Sequence, residues 1–347
     1  MMRYLLPVVA IVALVGLAPA APRPSPVPGG DRTGWPPRAD WPRLRCDIAG
    51  IRLPAIAPFG RTDVLFSAIY PAYPPDVRAD IRRAMKARGY THLVFSLSGG
   101  YRGLYPTYDL YNRPEALRAI LRETLDDGLM PVVFLLPDDL FLHRTAGGGL
   151  EPEKVSWPVA RAAFERKLAP LLADRATLGL IRIAATGWEI DQWMTPDVMT
   201  ESARWLRRVL GPEPLLFVHF GPGRVAACGT PGCEAGWWRD MVDSGTLSGI
   251  FYQDNHWEAA GLVRDLTRVA GHFARGDGGW PTRTPRGEPV YVEAFEYSAY
   301  RQTWDGKSEG WGNALGDAAM DVPGVFGFCD GGTKGTASTG DPGVRRK

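Results

Sequence analysis

Residues 113–136, RPEALRAILRETLDDGLMPVVFLL, contain the alternation on which the fold turns. Leu117, Ile120, Leu121 and Leu125 recur at helical spacing, so the first half reads as an amphipathic helix opened by Pro114. Asp127-Gly128 then makes a short turn. MPVVFLL at 130–136 is a continuous apolar run of strand length, suited to a sheet buried on both faces. One helix, one glycine turn and one buried strand make half of a parallel βα repeat.

The same unit recurs on either side. Strand-length runs occur at 62–70, 91–97, 130–136, 180–186, 214–220, 247–253, 289–295 and 325–329. Helical patterns fall between them at 74–89, 113–128, 157–174, 196–210, 237–244, 259–274 and 311–320. Alternating strands and helices imply a parallel sheet. Eight such strands in one chain predict an α/β fold, a single-domain (β/α)8 TIM barrel over 58–333. An open doubly wound sheet is the alternative. Neither G-x-G-x-x-G after the first strand nor a phosphate loop is present to favour it.

The flanks have a different composition. Met1-Met2-Arg3, the apolar run 4–17 and Ala18-Pro19-Ala20 have the pattern of a signal peptide spanning 1–20. The run is short for a membrane span, which predicts a secreted or periplasmic protein with no stable membrane insertion after cleavage. An uncleaved anchor is the alternative. Residues 21–57 read as a linker and lead-in, and 334–347 as a disordered tail. The chain has 347 residues, 40 basic against 38 acidic, with no basic stripe, which argues against nucleic acid as a partner. Export permits disulfides among the four cysteines. Cys228 and Cys233 flank a GTPG turn suited to a local bridge; Cys46 and Cys329 either pair or stay as two thiols. The oligomeric state stays open.

Chemistry-bearing residues gather after the strands, while the opposite loops are plain glycine turns. Asp138 follows strand 3, Trp188, Glu189, Asp191 and Trp193 follow strand 4, and His219 ends strand 5. Tyr252, Asp254 and Trp257 follow from strand 6, Glu293 and Glu296 from strand 7, and Asp330 from strand 8. Barrel sites lie at that end of the strands. Facing carboxylates on strands 4 and 7 suit glycosidic cleavage, in which one acid protonates the leaving oxygen and the other attacks or activates water. The aromatic residues suit sugar rings, and Asp138, Asp191, His219, Asp254 and Asp330 suit hydroxyl groups. A metal site of Asp138, Asp254 and His256 is a less favoured alternative, because nothing in the spacing demands it; four cysteines without clustered histidines also lack a zinc pattern. No metal or other cofactor is expected.

With GWEIDQW at 187–193 and PVYVEAFEY at 289–297, the chain resembles the retaining (β/α)8 glycoside hydrolases of the clan that includes cellulases, β-mannanases and β-galactosidases. The resemblance implies Glu189 as acid/base, and Glu293 or Glu296 as nucleophile with Tyr252 beside it. The substrate implied is a poly- or oligosaccharide. The clan's Asn-Glu pair at the end of strand 4 is not there, and its nucleophile aligns with Ala294, between the two acids. Alternation puts Glu296 on the Ala294 face and Glu293 on the other, unless a bulge exchanges them. The alternative function is a non-catalytic glycan-binding or surface or virion attachment barrel.

Overall fold

The computed structural model describes residues 44–47, 70–72, 74–87, 91–97, 109–137, 139–144, 150–187, 189–221, 231–253, 259–296 and 318–330. In chain order they form β1 (Leu44–Asp47), α1 (Pro75–Ala87), β2 (His92–Ser96), α2 (Pro114–Asp126), β3 (Met130–Phe134), β4 (Leu142–Arg144) and β5 (Leu150–Pro152). There follow α3 (Trp157–Ala173), α4 (Arg175–Leu178), β6 (Ile183–Ala185), α5 (Pro196–Leu210), β7 (Leu215–Phe220), α6 (Ala235–Asp243), β8 (Gly249–Gln253), α7 (Ala259–Arg275), β9 (Tyr291–Glu296) and β10 (Val325–Asp330). β4 and β5 pair as a separate antiparallel hairpin.

Helix boundaries follow from local chemistry. Pro114 opens α2, and Leu117, Ile120, Leu121 and Thr124 make its buried stripe. Gly128, at φ 75°, then turns the chain into β3. The Thr195 hydroxyl accepts from the Val198 N–H to cap α5, and Gly211, at φ 76°, ends it. Arg78 and Arg82 of α1, both buried, pair with Glu123 of α2 and fix the two helices side by side.

Seven strands, β2, β3, β6, β7, β8, β9 and β10, form an all-parallel curled sheet, and β1 adds to it beyond β10. The order is β1-β10-β9-β8-β7-β6-β3-β2. This corrects the expectation of a closed TIM barrel. The sheet is an open half-barrel: β1 and β2 approach each other, but no ladder joins them among the described residues. Alternation of strands and helices specifies a parallel sheet and nothing about closure, which depends on tilt and stagger around the whole ring. The segment expected to supply the first strand, 62–70, lies outside the described residues except for Tyr70, which sits in a 3-10 turn. β1 comes instead from the stretch read as lead-in.

The two faces of the sheet have separate cores. Leu216, Val218 and Phe220 of β7, with Ile250, Tyr252, Val292 and Ala294, pack against the helices on the convex side. Val132 and Phe134, Ile183 and Ala185, Leu215 and Phe217, Phe251 and Tyr291 form a second cluster on the concave side, built from strand residues alone among those described. One-sided helices distinguish this sheet from a doubly wound one.

Gly249 shows how tightly the concave layer is filled. It sits in register between Phe217 and Tyr291. A Cβ there would come 2.1 Å from the Tyr291 carbonyl oxygen and 2.8 Å from the Phe217 ring. Backbone cannot swing aside as a side-chain tip can. The variant Gly249→Ala is expected to lose about 1–3 kcal/mol, by the cost of overpacking. Urea denaturation checks this, and an unchanged midpoint would mean that the ladder between β8 and β9 gives way freely.

Candidate active site

In an open α/β sheet, ligands bind beyond the carboxyl ends of the strands. At that end of the concave face lies a register row of His219, Phe251 and Glu293, continued by Gly327 and Leu44 on the next two strands. His219 and Glu293 therefore stand two strand spacings apart, about 10 Å along the sheet. Both are fully buried. The Phe251 strand runs between them, its ring 4.8 Å from Phe217 and 5.7 Å from Phe134.

The His219 ring is fixed by its neighbours. Its Nδ1 accepts from the Glu189 backbone N–H at 3.1 Å, so the neutral ring carries its proton on Nε2. The Phe134 ring meets it edge to face at 5.5 Å. Burial drives the imidazole pKa down to about 3, and the nearby Gln253 side chain offsets part of that fall. His219 is an uncharged positioning group at any ordinary pH.

Glu189 follows β6 in a left-handed conformation, φ 42° and ψ 48°, and is the non-glycine residue with positive φ among those described. Such a conformation costs an ordinary residue about 1–2 kcal/mol. It persists because the turn is held from several sides. The Glu189 N–H reaches His219, and its Oε2 accepts from Gln192 Nε2 at 2.6 Å. Asp191 Oδ1 accepts from the Gly221 N–H at 2.6 Å. A Cβ on Gly221 would fall 2.7 Å from Gln192 Nε2, the amide that holds the Glu189 carboxyl. Strain of this kind points to a functional site.

The structure separates the two strand 7 acids. Glu293 shares the concave row with His219. Glu296 lies in register with Asp330, and Asp330 with Asp47, on the alternate parity of Val292 and Ala294. Tyr252 is buried in the convex core, in register with Ala294, on the face opposite Glu293. Trp193 is buried against Phe141, ring centroids 6.1 Å apart, and is a core residue in this fold. Asp191 is placed as a turn anchor on Gly221. Trp188, Asp138, Asp254, Trp257 and His256 lie outside the described residues.

Gln253 and Gln192 are site residues that sequence reasoning missed. Period-two alternation held the signal for the first: Gln253 shares parity with Phe251, and Tyr252 does not. Gln192 gave no signal, because its role depends on the left-handed turn.

A cavity of about 450 Å3, lined by Arg207, Gly211, Ser244, Thr284 and Arg286 among others, lies at the opposite, amino-terminal end of β7 to β9. Arg207 there donates to the carbonyls of Thr246, Gly211 and Pro214, which makes it a brace for the loops. Among the described residues no group of three or more His, Cys, Asp or Glu could hold a metal ion, and no helix is long and apolar enough to cross a membrane. No family model matches the chain, and no curated protein matches it either.

Proposed function

We propose that the protein is an exported, glycan-active half-barrel that cleaves a poly- or oligosaccharide with retention, using Glu189 as acid/base and Glu293 as nucleophile. One observation carries the reading: the strained Glu189 and the interior Glu293 stand at the same carboxyl end of the concave face, on either side of a buried neutral histidine. Their strands are three spacings apart, about 14 Å along the sheet.

In this reaction Glu189 protonates the glycosidic oxygen while the Glu293 carboxylate attacks the anomeric carbon. A glycosyl ester forms, and the aglycone leaves with the proton. Glu189, now ionised, takes a proton from water, which attacks the same carbon and releases Glu293. His219 contributes by holding the Glu189 backbone. Gln192, donating to Glu189 Oε2, fixes the position of the carboxyl group.

The test is turnover of aryl glycosides and soluble polysaccharides by the full chain, with the anomer of the first product read by NMR. Retained configuration is expected. An inverted product would instead make the second acid a base for water and would overturn the assignment of Glu293.

A second reading is favoured by burial. Glu293 is 0 % exposed and Glu189 7 %, as suits interior polar groups in a non-catalytic glycan-binding or attachment half-barrel. Saturable binding of a polysaccharide with no turnover on any substrate would select it.

A further inference from the structure

Two cysteines far apart in the chain meet in the sheet. Cys46 of β1 is the Cα partner of Cys329 of β10. Neighbouring strands lie about 4.8 Å apart. That falls within the Cα separation of about 4.4–6.8 Å that a disulfide spans. Register partners on parallel strands share a face, so alternation does not set the two residues on opposite sides. Counting two residues on from Leu44 and Gly327, the partners of the Glu293 row, gives both cysteines the same parity along their strands.

β1 also needs a fastening. It has four residues, and among the described residues it has one ladder, to β10, at the edge of an open sheet. A strand this short on a single neighbour is weakly held. We propose that Cys46 and Cys329 form a disulfide that bolts β1 to β10 at the rim of the half-barrel. Nearly the whole sheet lies between them in sequence, the arrangement in which a cross-link restrains the unfolded chain most.

The bond forms by exchange with an external disulfide, either an oxidised dithiol protein or a small-molecule disulfide. The Cys46 thiolate attacks one sulfur of the oxidant, gives a mixed disulfide and expels a thiolate. The Cys329 thiolate then attacks the Cys46 sulfur, closes the Sγ–Sγ bond and expels the second thiolate. The oxidant gains both electrons, and the two cysteine protons pass to the expelled thiolates.

The test needs no export and no substrate. The native full chain is incubated with glutathione disulfide, quenched with N-ethylmaleimide, digested without reductant and mapped by mass spectrometry. A linked pair of peptides holding Cys46 and Cys329 is expected. Cys46 found as its maleimide or glutathione adduct, or joined to Cys228 or Cys233, overturns the proposal. A second measurement uses the Cys228→Ser/Cys233→Ser chain, in which only Cys46 and Cys329 remain. Reductant should lower its Tm by about 5–10 °C. No shift, with the fold intact by circular dichroism, overturns the proposal as well.

Discussion

If the proposed function holds, replacing Glu293 with alanine is expected to lower the rate of glycoside cleavage by roughly 10^4-fold or more, about 5 kcal/mol of transition-state stabilisation. The nucleophile is the group whose loss removes a covalent step, and nothing else in the row takes its place: Phe251 and Gly327 flank it. Azide fits the space left by the carboxylate. It should restore turnover of activated aryl glycosides and give a glycosyl azide of inverted configuration, because one displacement replaces two. Glu293→Gln keeps the shape, blocks the attack and should stay inactive with azide. Glu189→Gln should cost about 10^2–10^4-fold on substrates with poor leaving groups. It should cost much less where the aglycone leaves without a proton. Activity of Glu293→Gln near the level of the parent would sink the assignment and turn attention to Glu296.

Acid should unfold the protein for a reason that has nothing to do with catalysis. His92 and His219 are both fully buried, and burial holds each pKa at about 3, against an ordinary 6.5. The unfolded chain therefore binds two protons that the folded chain refuses, over the whole range between those values. Stability is undiminished above pH 6.5, falls as the pH drops below it, and levels off near pH 3. Each histidine contributes close to 1.4 kcal/mol per pH unit inside that window. Between pH 7 and pH 4 the pair removes about 6 kcal/mol, a large share of a domain stability of about 5–15 kcal/mol. Urea titrations at each pH measure the slope. His92→Gln and His219→Gln should each halve it, and a slope unaltered in both variants would assign acid unfolding to other groups.

Seven of the eight expected strands appear where period and composition put them. The pattern of continuous apolar runs such as MPVVFLL survives because both faces of these strands are covered. Closure was not legible. It rests on a ladder between the two edge strands, β1 and β2, and β1 came from a Pro- and Arg-rich stretch with no strand pattern of its own. Parity explains what was and was not readable in the site. Alternation alone sets the two glutamates of β9 on opposite faces unless a bulge exchanges them, and only the ladder to Phe251 and His219 says which of them shares the concave row. The resemblance implies Tyr252 beside the nucleophile, but its parity is that of Ala294, and it lies among the helices' apolar contacts. Trp193 was chosen as a flat face for a sugar, and Phe141 occupies that face. The left-handed Glu189 had no forewarning, since glutamate is not a residue that sequence rules place at positive φ.

The one-sided cover of the sheet constrains how this sequence can drift. On the convex side a helix can slide to absorb a changed volume. On the concave side Phe134, Phe217, Phe251 and Tyr291 form a chain of rings with centroids 4.8–6.3 Å apart, and each fills space the next one borders. A substitution at one ring alters the fitness of substitutions at its neighbours. Double-mutant cycles between Phe217 and Phe251 should give coupling of about 0.5–3 kcal/mol, whereas Phe217 with a distant convex residue such as Leu117 should add simply. Homologous chains that differ at one of these rings are expected to differ at two, and single replacements introduced in the laboratory would trace paths that natural descent avoided.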